Sequence, residues 1–292
     1  MVKVIRKLPD LPTTLEDQHM AQFKRTGYLA FRNLLSETAI AALKEGMRQL
    51  CLETIRGIEV GRCEARSHPR GNTSICTVHE IDGDLKIQFE PGVDIHALGD
   101  DALVRSYRKF MWFIDSSDEF RHLKTNPKIA GVLDALLGPG SILFQDMALS
   151  KPARIGTEKP WHQDLAYFTY APLEEILGIW IALDDATIDN GCMRVIPSPV
   201  KQRVSYKHTH VLDCDINERD LDLDRAEAVE IPAGGVMFFS GLLPHHTPPN
   251  QSDQSRRALQ LHYRGANTVL LDEESYARVF KTPDGRPAAC EN

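Results

Sequence analysis

The feature that most constrains this chain is a change of texture at Gly138-Pro139-Gly140. Beyond it the sequence breaks into short apolar or alternating runs at 141–149, 178–183, 192–196, 229–231, 235–239 and 257–263, separated by Gly, Pro, Asn and Asp. Many short strands with turn residues between them are the pattern of an antiparallel sandwich or small barrel. Asn190-Gly191, set between two such runs, is the strongest local hairpin signal in the chain.

Before that boundary the pattern is mainly helical. Phe23, Leu34, Leu35, Ile40, Leu43, Met47 and Leu50 fall mostly at helical spacing, so two helices are expected to flank a short strand at Gly27-Tyr28-Leu29-Ala30-Phe31. Ser36 precedes the second helix, and its hydroxyl can satisfy an otherwise unpaired N–H of the first turn. Residues 57–100, dense in Gly and Pro, read as loops and short hairpins. Residues 102–137 read as a second helical stretch, broken into two helices at Asn126-Pro127. The expected class is α+β with a mainly β core, in one domain: a helical flank and loops at 1–140, the core at 141–265 and a C-terminal extension at 266–292.

Composition narrows the function classes. The 292 residues carry 34 Lys+Arg against 41 Asp+Glu, a net charge of -7, which argues against a nucleic-acid binder because phosphate neutralisation needs clustered basic residues. Cys51, Cys63, Cys76, Cys192, Cys214 and Cys290 form no CxxC motif and read as reduced, isolated thiols. No apolar leader and no run of 18 apolar residues is present, so a cytoplasmic protein with no membrane partner is expected. The acid-rich residues 213–230 lack the EF-hand pattern and read as a solvated loop. A chain this long can bury enough apolar surface to fold without a structural metal, so any metal it binds is expected to be functional.

Chemistry concentrates in three places. His162-Gln163-Asp164 sets an imidazole and a carboxylate two apart in an expected strand, where both project from one face. His245-His246 follows the apolar run 236–239. Two His and one carboxylate on one side of a metal leave open positions, a facial triad that suits ferrous iron binding a chelating co-substrate and O2. Structural zinc would instead require four protein ligands, usually including Cys. Arg256 lies eleven residues after His245. Leu259, Leu261 and Tyr263 share one face of that strand, which leaves Arg256 with Ala258, Gln260 and His262 on the other. Such a polar face is either solvent-facing or the lining of a pocket in which an Arg fork pairs with a ligand carboxylate. The pattern favours Arg256 over Arg257 only modestly.

In order and spacing, His162-Gln163-Asp164, His245 and Arg256 resemble the phytanoyl-CoA dioxygenase family. So do Gly27-Tyr28 after Phe23, the segment Leu143-Phe144-Gln145-Asp146-Met147, Gly178-Ile179-Trp180 and Asn190-Gly191-Cys192. The resemblance spans about residues 20–265 and implies a double-stranded β-helix, or jelly roll, flanked by N-terminal helices. It implies Fe(2+) on His162, Asp164 and His245, with 2-oxoglutarate and O2 as co-substrates and no catalytic residue beyond the metal site. Arg256 would clamp the distal carboxylate of 2-oxoglutarate with Thr247 beside it, and Trp180, Met147 and Lys109 would line the co-substrate pocket. Arg105 and Arg108 compete with Lys109; His246 competes with His245, but the eleven-residue gap to Arg256 and the nearby Thr247 select His245. The implied reaction is hydroxylation of a small-molecule substrate, with 2-oxoglutarate converted to succinate and CO2. The carboxylate of Asp164 favours that outcome over halogenation, for which a small residue would leave room for halide.

The sequence departs from the family at Pro197-Ser198-Pro199-Val200 and at Gly234-Gly235, positions that shape the rim of the pocket and not its ligands. Trp180 alternates against Ile179, Ile181 and Leu183, which points it into the pocket, although a strand Trp is commonly core. Met147 is as readily core packing. Arg62, Arg66, His68 and Arg70 are either a solvated loop or a hold on an anionic substrate group. His208 and His210 have no carboxylate or third His placed near them and read as surface residues. Two other functions compete: a zinc-dependent hydrolase or isomerase on a cupin-like barrel, and a barrel that binds 2-oxoglutarate without turnover. Oligomeric state is not legible.

Overall fold

In the computed structural model, residues 2–70, 72–200, 208–209, 215–272 and 274–275 are described. The first part of the chain holds β1 (Lys3–Ile5), α1 (Asp17–Thr26), β2 (Tyr28–Phe31) and α2 (Glu37–Glu59). Ser36 Oγ accepts the Ala39 N–H at the start of α2, the expected cap. Residues 57–100 are more regular than expected. They form the paired eight-residue strands β3 (Cys63–Arg70) and β4 (Thr73–Glu80), followed by β5 (Lys86–Phe89). β3 is the outermost strand of its sheet, so it lacks a continuous apolar pattern and tolerates Pro69.

The stretch 102–137 is not two helices. It holds α3 (Asp100–Val104), then the strand β6 (Tyr107–Met111), then α4 (Asp118–Lys124) and α5 (Pro127–Leu137). Phe110 and Tyr107 pack into the core from β6, and two aromatic residues three apart fit a helix pattern as well as a bulged strand. Among the described residues, the region before residue 140 therefore supplies six strands as well as helices.

The core strands are β7 (Ile142–Lys151), β8 (Lys159–His162), β9 (Tyr170–Ala171), β10 (Ile176–Ala182), β11 (Met193–Val195), β12 (His208–Thr209), β13 (Asp215–Ile216), β14 (Glu227–Val229), β15 (Val236–Ser240), β16 (His245–Thr247), β17 (Arg256–Arg264) and β18 (Val269–Leu270). Together with β1–β6 they build a jelly roll of two sheets, except that β12-β13 and β9-β18 form separate two-stranded sheets. The large sheet runs β2-β15-β10-β17-β7-β6-β5-β4-β3, and the small one β1-β14-β11-β16-β8. Within the large sheet alternate residues serve different layers: Ile179, Ile181, Leu259, Leu261 and Phe238 pack on the helices. Trp180, Ala182, Ala258 and Phe239 pack inward with Met193, Val195 and Val229 of the small sheet.

Asn190-Gly191 makes a turn but no hairpin. Gly191 has φ 82°, which a side chain disfavours, yet β10 pairs with β15 and β17 while β11 pairs with β14 and β16. The turn carries the chain from one sheet to the other. Cys51, Cys63, Cys76 and Cys192 are free thiols; Cys214 and Cys290 lie outside the described residues, as does His210.

Candidate metal centre and its pocket

His162 and His245 are direct partners across the β8–β16 ladder, which brings their ring centroids to 4.1 Å. Each ring is oriented from behind: His162 Nδ1 lies 2.8 Å from Pro160 O and His245 Nδ1 3.0 Å from Leu243 O. A ring whose Nδ1–H is given to a carbonyl carries its lone pair on Nε2.

Asp164 does not continue the strand. It opens a 3-10 turn, Asp164–Tyr167, directly after β8, because Gln163 Nε2 donates to Leu242 O at 2.6 Å and Leu165 N to Gly241 O at 3.0 Å. The turn swings the carboxylate over the His pair. Asp164 Oδ1 stands 3.4 Å from His162 Nε2 and 3.6 Å from His245 Nε2, and one ligand atom from each of the three residues falls within 4.8 Å of the others. All three are buried. Burial, followed by the neighbouring His245, pulls the His162 imidazole down to about 3. Burial likewise lowers His245. Burial opposes the charge on Asp164, but His245 and His262 hold its carboxyl well below the usual range. The result is two neutral imidazoles and a carboxylate, a donor set suited to a divalent transition metal.

The second oxygen of Asp164 is held by residues that no motif singled out. His262 Nε2 lies 2.8 Å from Oδ2, and Gln260 Nε2 donates to it at 3.1 Å. Both side chains come from β17, on the same face as Arg256. Sequence alternation had placed them there without a task.

These groups open into a cavity of about 820 Å³. Arg256 lines it while only 2% exposed, and its Nε and Nη1 have no hydrogen-bond partner among the described residues. Burial brings its guanidinium down to about 10. The guanidinium carbon lies 5.3 Å from the Trp180 ring centroid. A buried fork with unmet donors is costly unless a ligand carboxylate satisfies it. Arg257 is spent elsewhere, donating from Nε to Asp184 at 2.8 Å and from Nη2 at 3.0 Å. His246 also turns away, 2.7 Å from Glu158 and stacked on Trp161.

Thr247, Trp180, Met147 and Lys109 all line the same cavity. Arg108 lines it too, because the register shift opposite Gln88 and Phe89 is a bulge that turns both basic side chains inward while Tyr107 and Phe110 stay in the core. Arg105 is exposed at the end of α3 and does not reach it. Lys151, missed in the sequence, is the cross-strand partner of Arg256. Its Nζ donates to Thr247 O at 3.1 Å and to Thr157 O, and burial, then Arg256 and Arg108, depress its ammonium well below the ordinary lysine value. Arg66 and His68 border the cavity from β3.

The family described as Phytanoyl-CoA dioxygenase (PhyH) matches residues 23–258, a span that includes His162, Asp164, His245 and Arg256. Phytanoyl-CoA dioxygenase domain-containing protein 1 of Danio rerio is 24% identical over 282 residues, covering 91% of this chain and 95% of that one. Among solved structures, the α-ketoglutarate-dependent carbocyclase SnoK from nogalamycin biosynthesis superposes with a TM-score of 0.63 at 19% identity, covering 91% of this chain and 90% of its own. EvdO2 from Micromonospora carbonacea var. aurantiaca, complexed with 2-oxoglutarate, superposes with a TM-score of 0.56 at 22% identity, covering 91% and 96%.

Proposed function

The chain belongs to the phytanoyl-CoA dioxygenase family, and from that membership we propose that it is a single-domain Fe(II)- and 2-oxoglutarate-dependent dioxygenase that hydroxylates a small molecule. One observation carries the proposal. Three metal-binding atoms of His162, Asp164 and His245 converge at the edge of a cavity that also holds a buried arginine with unmet donors.

In this reading His162, Asp164 and His245 hold the iron. When bound, the iron with 2-oxoglutarate and O2 supplies oxidative decarboxylation to succinate and CO2, the second oxygen atom entering a substrate C–H bond. The protein supplies position and exclusion of water. Arg256 offers Nε and Nη1 to the distal carboxylate of 2-oxoglutarate, with Thr247 beside it. Trp180 backs the guanidinium, a contact worth about 2 kcal/mol when desolvated. Met147 and Lys109 close the wall. His262 and Gln260 occupy one oxygen of Asp164 and so keep the other directed at the metal position.

The test is succinate release by purified protein supplied with Fe(II), 2-oxoglutarate, ascorbate and O2. Turnover with Fe(II), none with Zn(II), and none in Asp164→Ala supports the proposal. Turnover of an ester or sugar with Zn(II) and no dependence on Arg256 contradicts it in favour of a hydrolase or isomerase.

A further inference from the structure

The cavity extends well beyond the metal centre, along the inner face of the large sheet. Cross-strand register lays out a rank of side chains from β17 outward: Gln260 opposite Met147, Met147 opposite Met111, Met111 opposite Lys86. The adjacent rank sets Lys109 opposite Gln88, Gln88 opposite Thr77, and Thr77 opposite Arg66. All of these line the cavity. Gln260 touches Asp164, so the first rank leads from the metal centre across two methionines to a lysine. Three strand spacings separate β17 from β5, about 14 Å.

The charge on this wall is one-sided. Seven Lys and Arg side chains line the cavity against the two carboxylates Glu90 and Asp164, in a chain whose net charge is -7. A divalent metal and the dianion 2-oxoglutarate cancel each other, so the excess survives loading. Glu90 lies 3.7 Å from Arg108 and Arg66 pairs with Glu64, whereas Lys86 makes no ion pair among the described residues. Lys86 and Lys109 sit diagonally on adjacent strands, a spacing that long side chains span. An anion seated between them would meet both ammonium groups.

We infer that the primary substrate is an elongated molecule ending in a carboxylate or phosphate. Its anionic end sits on Lys86, flanked by Lys109, and its apolar stretch runs over Met111 and Met147 toward the metal. The placement of the reacting carbon rests on the proposed oxygenase function; the anion site does not.

The experiment is calorimetric titration of the protein, with and without Mn(II) and 2-oxoglutarate, by four probes of equal chain length: octanoate, octyl phosphate, octan-1-ol and octylammonium. The expected result is that one or both anions bind at least tenfold more tightly than the alcohol and the cation. Lys86→Glu abolishes the preference and Lys86→Arg restores it. Octanoate ahead of octyl phosphate identifies a carboxylate substrate, and the reverse order a phosphate one. Equal affinity for the alcohol and the anions, no measurable binding of either anion, or an unchanged preference in Lys86→Glu overturns the inference. An anion preference that persists while 2-oxoglutarate itself fails to bind contradicts the oxygenase proposal and leaves the anion site standing.

Discussion

His262 Nε2 lies 2.8 Å from Asp164 Oδ2, while the other oxygen of the same carboxylate faces His162 Nε2 at 3.4 Å and His245 Nε2 at 3.6 Å. The carboxylate is thus divided between an anchored oxygen and one that faces the two imidazoles. Groups that anchor a metal ligand from behind are typically worth about 10–100-fold in metal affinity. His262→Phe is therefore expected to weaken Mn(II) or Co(II) binding by about that factor, with Gln260→Leu acting in the same direction. Calorimetric metal titration measures it, and circular dichroism checks that the fold is kept.

Arg256 is buried with unmet donors, so it costs stability in the absence of a carboxylate ligand. Arg256→Met should leave the melting temperature of the ligand-free protein unchanged or raised. The same variant should lose the upward shift that saturating 2-oxoglutarate gives the wild type, a shift of about 2.7 kcal/mol at a hundredfold excess over Kd. Thermal melts with and without 2-oxoglutarate separate the two effects.

Arg257 makes the opposite control. It is held by Asp184, which also pairs with Lys44 at 2.6 Å, and it does not line the cavity. Arg257→Ala should lower stability by about 1–2 kcal/mol and leave the KM for 2-oxoglutarate within about twofold. Denaturant unfolding and steady-state kinetics on the one variant check both.

Burial lowers the His162 imidazole to about 3, whereas an unfolded chain takes up that proton near 6.5. Between those values the unfolded state binds more protons, so the stability from neutral His162 is complete above pH 6.5 and is lost progressively as pH falls toward 3. Lowering the pH from 6.5 to 5 should cost the metal-free protein about 1.6 kcal/mol through this group, whose unfolded form is already half-protonated at the upper pH. His162→Gln should show a correspondingly flatter pH dependence of melting temperature.

Much of this site was legible because strand alternation is strict. Leu259, Leu261 and Tyr263 do pack on one side, and Arg256, Gln260 and His262 do line the cavity on the other. What that pattern could not supply was a task for His262 and Gln260, since their partner, Asp164, lies nearly a hundred residues away in sequence. The turn that lifts Asp164 out of β8 depends on Gln163 reaching Leu242, a tertiary contact that local spacing does not encode. The bulge that turns Arg108 inward beside Lys109 is likewise invisible in a run of basic residues. β3 and β4 read only as part of a stretch of loops and short hairpins because one face of each borders a polar cavity, which removes the apolar alternation that marks a long strand. Asn190-Gly191 signalled a tight turn correctly but not its partners, because joining two sheets and joining two neighbouring strands demand the same left-handed glycine.

The central claim is tested most directly by anaerobic titration of the protein with Fe(II) and 2-oxoglutarate, followed in the visible region for the metal-to-ligand charge-transfer band of the chelate. The account predicts a band in the wild type, its loss in His162→Ala, and succinate on admission of O2. No band in the wild type, or an unaltered band in His162→Ala, would contradict it.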